Sequence, residues 1–68
     1  MDTKAIGRKL EVLRKAKGVT QAEVADAIGV SAMAVSLYEK GERIPRDEVK
    51  IKLADFFSTP VSAIFFGE

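Results

Sequence analysis

Apolar residues recur along this chain every three or four positions, and the places where the recurrence starts and stops predict five helices. Ile6, Leu10 and Leu13 stand at i, i+4 and i+7, one buried face of a helix from about Thr3 to Lys17. Lys15 and Lys17 in its last turn suit the negative end of the helix dipole, and Gly18 closes it. Thr20 and Glu23 form a capping box that opens a second helix, with Val24, Ala25 and Ile28 on its inner face. Gly29 stops that helix because glycine accepts the left-handed backbone a C′ position needs. Val30 plugs the turn and Ser31 caps a third helix, which points Val35 and Tyr38 inward, Ser31 and Ala34 at the margin.

Gly41 ends the third helix, and Glu42 to Pro45 read as a short loop. A fourth helix is expected to start near Pro45 or Arg46, with Asp47 and Glu48 suiting the positive end of the dipole. Its inner face is Leu53, Ala54 and Phe57, helped by Val49 or the stem of Lys50, with Ile51 and Phe56 nearer the edge. Ser58 and Thr59 break the pattern. Thr59 as N-cap and Pro60 at the first helical position predict a short fifth helix, Pro60 to about Phe65. No stretch before the last few residues alternates as a strand does, so the expected class is all-α.

At 68 residues the chain is expected to be one domain, with a core spanning about residues 4 to 66. Such a domain buries only about 60% of its unfolded surface, so dimerisation would help it. Cysteine and histidine are both absent. That removes disulfides, thiolate metal sites, the usual general base and the commonest metal ligand. Without a glycine-rich phosphate loop or a carboxylate pair beyond the helix-starting Asp47 and Glu48, an enzyme is excluded. No cofactor, metal or small-molecule ligand is implied. No apolar run reaches the roughly 20 residues of a membrane span, and no signal peptide precedes the domain, so a cytoplasmic protein is expected.

The net charge of +1 says little, but its distribution says more. Lys4, Arg8, Lys9, Arg14, Lys15 and Lys17 load the first helix, and Lys40, Arg43 and Arg46 cluster after the third. On its own this is also the pattern of a solvated face. At about 100° per residue, Met33, Leu37 and Lys40 fall opposite Val35 and Tyr38, with Ser36 and Ala32 beside them. The second and third helices thus form a helix-turn-helix with an outward stripe fit to enter a DNA groove.

The pattern T-Q-x-x-V-A-x-x-I-G-V-S-x-x-x-V-S-x-Y-E-x-G-x-R-x-P, from Thr20 to Pro45, resembles the Cro/cI-type (XRE) helix-turn-helix family of phage and bacterial transcription regulators. The resemblance runs from about Ile6 to Phe65. It implies a compact five-helix bundle of the lambda-repressor type that binds operator DNA, usually as a two-fold dimer. Gln21 matches the family glutamine that contacts a phosphate and braces the recognition helix. A neutral amide at a helix N-terminus suits that task. Ala32, Met33, Ser36, Leu37 and Lys40 occupy the positions that meet bases or phosphates, Lys40 suiting a phosphate. Arg43 lies in the loop where relatives touch the backbone or the minor groove, and Arg46 is a weaker candidate of the same kind. Arg14 and Glu39 match an ion pair between the first and third helices, whose loss should cost on the order of 3 kcal/mol.

The sequence departs from the family where Gln, Arg or Asn commonly stand at Ala32, Met33 and Leu37. Readout would then rest on apolar contact with thymine methyl groups, at T-rich steps, with DNA shape adding to a modest discrimination. The rival reading of the same stripe is a protein-interaction module, an antitoxin-like or antirepressor-like partner reusing the fold. Val61 and Ile64 complete the core, whereas the adjacent Phe65 and Phe66 cannot both be buried by one helix face. In single-domain relatives this region forms the dimer interface, which implies residues 61–68, chiefly Ile64, Phe65 and Phe66. The tail has no basic flank for a membrane.

Overall fold

The computed structural model describes residues 2–66 and contains five helices: α1 (Thr3–Lys17), α2 (Gln21–Ile28), α3 (Ala32–Lys40), α4 (Asp47–Phe56) and α5 (Val61–Phe65). Local chemistry sets the first three. The Asp2 side chain caps α1 by accepting from the Lys4 and Ala5 N–H groups, each at 3.1 Å. Thr20 and Glu23 make the reciprocal capping box at 3.0 and 2.9 Å. Ser31 accepts from the Ala34 N–H at 3.0 Å.

The second half follows tertiary packing more than capping. Pro45 is buried in the loop, and α4 starts at Asp47, next to the expected position, with Arg46 as N-cap and no side-chain cap bond. Ser58 takes a left-handed backbone (φ 50°) after α4, and the reversal brings the Thr59 N–H to the Ala54 carbonyl at 3.0 Å. Thr59 therefore does not cap α5. Its hydroxyl donates back to the Phe57 carbonyl at 2.9 Å, and Pro60 occupies the N-cap position instead of the first helical one. Phe57, the C-cap of α4, packs half-buried against the core and meets Phe56 edge-on, with centroids 5.0 Å apart.

α1 packs on α3 and α5, α2 on α3 and α4, and α4 on α5. α3 thus lies on one side of the molecule and α5 on the other. Between them sits one apolar core, including Leu10, Val24, Ile28, Val35, Leu53, Ile64 and Phe65. Ala34, expected at the margin, belongs to this core, while Ser31 is exposed. Lys9 ties α5 to α1 by donating to the Ala63 carbonyl at 3.0 Å. No helix among the described residues is long and apolar enough to cross a membrane.

Candidate nucleic-acid interface

The surface starts from the turn that joins α2 to α3. Gly29 takes φ +75°, and the Val30 N–H returns to the Ala25 carbonyl at 3.0 Å. Val30 itself packs half-buried against the core, which fixes the angle at which α3 leaves the turn. One side of α3 is then spoken for: Ala34, Val35 and Tyr38 are buried. The remaining face carries Ala32 and Lys40, both exposed, and Met33, which is 73% exposed. Ser36 and Leu37 are half-buried at the shoulders of this face, so Leu37 offers less surface than a position fully opposite the core.

A buried polar knot holds this helix in place. Arg14 Nε and Nη2 donate to Glu39 Oε2 and Oε1 at 2.7 and 3.2 Å, a two-pronged pair. Arg14 Nη1 reaches the Val19 carbonyl at 3.0 Å, and Gln21 Nε2 donates to Glu39 Oε1 at 3.0 Å. The side chains of Arg14 and Glu39 are 13% and 5% exposed. Hydrogen bonding to Glu39 raises the Arg14 guanidinium above its ordinary value, against the opposing effect of burial, so it stays charged throughout. One carboxylate thereby binds α1, the start of α2 and the end of α3 together. Gln21 is anchored by its amide, and the N–H groups of Gln21 and Ala22, ahead of the capped Glu23, are left for an outside acceptor such as a phosphate.

Gly7 makes the same junction possible, and the sequence reading did not single it out. A Cβ there would stand 2.6 Å from the Tyr38 carbonyl oxygen, so only glycine lets α1 and α3 approach this closely. The available signal was a glycine inside a helical pattern, next to the buried Ile6 and three residues from the buried Leu10 on its face.

The cations divide into two groups. Among the described residues Lys40, Arg43 and Arg46 are exposed and make no ion pair, and they lie at the end of α3 and in the loop after it. Much of the charge on α1 is instead engaged within the molecule. Arg14 holds Glu39, Lys9 holds Ala63, Lys15 pairs with Glu11 at 3.3 Å, and Lys17 sits 5.0 Å from the Phe56 ring centroid. Among the described residues the cations at the end of α3 and in the loop after it are thus open to an outside partner, as are the exposed Lys4 and Arg8 on α1.

At the opposite end, Ile64 and Phe65 are 1% and 2% exposed in the protomer's own core, so neither offers surface to a partner. Phe66 does, at 59% exposed, and its ring lies 5.8 Å from Lys50 Nζ. Of the expected interface segment 61–68, residues 67 and 68 lie outside the described residues.

A model of the helix-turn-helix family matches residues 10–64. Among sequences, the chain is 38% identical over 56 residues to the cryptic phage CTXphi transcriptional repressor RstR of Vibrio cholerae, covering 82% of this chain and 50% of RstR. Against a Pyrococcus horikoshii protein named as an HTH-type transcriptional regulatory protein it is 36% identical over 55 residues, 81% of this chain. It spans only 18% of that protein's length. Among solved structures, the P22 c2 repressor in complex with a synthetic operator superposes with a TM-score of 0.91 at 26% identity, covering 97% of this chain and all of the other.

Proposed function

The chain belongs to the helix-turn-helix family of transcription regulators of the Cro/cI (XRE) type, and from that membership we propose that it binds operator DNA as a homodimer and represses transcription. α3 enters the major groove of each half-site, and the half-sites of a roughly palindromic operator lie about one turn, 10–10.5 bp, apart. Ala32, Met33, Ser36 and Leu37 face the base edges. Gln21 with the N-terminus of α2, Lys40 and Arg43 hold phosphates, and Arg46 lies within reach of the same backbone. Two copies meet through Phe66, on the side of the molecule away from α3. Occlusion of a promoter by the bound dimer is the simplest route to repression.

The observation that supports this reading most is the free face of α3, braced from behind by Glu39 and flanked by cations without intramolecular partners. The repressor names of RstR and of the P22 protein support the sign of regulation. The test is selection of the purified protein against random duplex DNA at near-physiological salt, paired with sedimentation of the complex. Enrichment of a palindrome bound by two copies is expected. Retention that is only salt-sensitive, with nothing enriched, would reduce the activity to phosphate attraction and favour a protein partner for the α3 stripe.

A further inference from the structure

We infer that α3 reads the C5-methyl group of a pyrimidine rather than the identity of the base pair, so that DNA carrying 5-methylcytosine is a ligand of this surface alongside thymine. The inference rests on the DNA-binding reading above and deepens it.

α3 lacks the side chains that ordinarily read bases. Bases are told apart in the major groove by paired hydrogen bonds from Arg, Lys, Asn, Gln, Glu or Asp. From Ala32 to Leu37 the exposed face has none of these. Lys40 is about 10 Å further along the helix axis than Met33, at the end that leaves the groove. What Met33 presents, at 73% exposure, is an unbranched and adaptable apolar side chain. The one major-groove feature such a side chain can recognise favourably is a methyl group at C5 of a pyrimidine. The surrounding Gln21 amide, Lys40 and Arg43 fit the duplex backbone by charge and hydrogen bonding, which makes DNA the occupant of this apolar strip.

Thymine and 5-methylcytosine carry that methyl at the same ring position. They differ at C4, where thymine has an accepting oxygen and cytosine a donating amino group. A site built with a fixed donor or acceptor would reject one of them by leaving a polar group unpaired. Here the only hydroxyl on the face belongs to Ser36, and a hydroxyl rotates to donate or to accept. The surface is therefore tolerant at C4 and selective at C5. Cytosine methylation within a site would create binding where the unmodified sequence has little.

The experiment uses the enriched operator from the selection. Each pyrimidine facing α3 is presented in turn as thymine, uracil, cytosine or 5-methylcytosine, opposite its complement. Removing the methyl should weaken binding about fourfold per position, and about fifteenfold when both half-sites change. Thymine should exceed uracil, and 5-methylcytosine should exceed cytosine, by the same factor. Met33→Ala should pull both ratios toward one together. Equal binding of thymine and uracil, or of cytosine and its methylated form, would overturn the inference while leaving a specific operator standing. Ratios unchanged in Met33→Ala would overturn its assignment to this side chain. If no operator is enriched at all, both the DNA-binding reading and this inference fall.

Discussion

Two residues six positions apart on α3 invert the usual sorting of side chains. Glu39, a carboxylate, is 5% exposed at the side chain, and Met33, an apolar residue, is 73% exposed. The buried charge is tolerable because three donors surround it: Arg14 Nε and Nη2, and Gln21 Nε2. The exposed thioether has no such compensation within the molecule. Glu39 is thus fixed by polar bonds that leave nothing unsatisfied, and the Met33 side chain is left free of any part in the fold. Stability and recognition are carried by different faces of the same nine residues.

The sharpest way to break this division is at the buried face. Glu39→Ala leaves the Arg14 guanidinium uncompensated in a mostly buried position and should lower stability by about 3 kcal/mol in urea unfolding. A loss below about 1 kcal/mol would mean that water serves Arg14 as well as Glu39 does. Gly7→Ala attacks the same junction through sterics. The added Cβ meets the Tyr38 carbonyl, so α1 must shift from α3, at a cost of about 1–3 kcal/mol against a helix-propensity gain near 1 kcal/mol. Thermal unfolding that does not change would show that the two helices have room to part.

Smaller effects test the free face. Met33→Ala should leave stability within about 0.5 kcal/mol of the parent while moving base preference by about 1 kcal/mol in operator titrations. A loss of stability without a change of preference would place Met33 with the core. Lys40→Ala should do least to the fold. Its mark is a salt slope of operator binding lower by about one unit and an almost uniform weakening across sequences. A sequence-dependent loss would make Lys40 a reader of bases.

The helices could be read from the sequence where side chains bond to nearby backbone. The Thr20–Glu23 box, Ser31 and the glycines at 18, 29 and 41 are local devices, and each bounds a helix where expected. Thr59 shows the limit. Its hydroxyl faces a choice of acceptor that depends on the left-handed Ser58 before it, and nothing in a polar side chain's identity announces that turn. As interface residues Phe65 and Ile64 failed differently, although Ile64 lies in the core as expected. Periodicity says that a residue has a buried side but not whether its own protomer or a second one covers it, and here the protomer covers both. Gly7 was missed because close helix crossing is a property of two helices, while the pattern was read one helix at a time. The α3 stripe was the most legible part of the site, since the residues facing the core define by subtraction those that do not. Leu37 sits at its shoulder because that subtraction ignores the width of neighbouring side chains.

α5 has five residues, too few to persist as a helix by itself. Yet Phe65 and Ile64 are two of the four largest fully buried side chains in the domain. The shortest element therefore closes the core like a stopper, and it has no way to loosen while the remainder stays intact. The Ile64 amide hydrogen should exchange with solvent at the pace of whole-domain opening, and a protease that reaches the α4–α5 turn would release an unfolded chain, not a trimmed one.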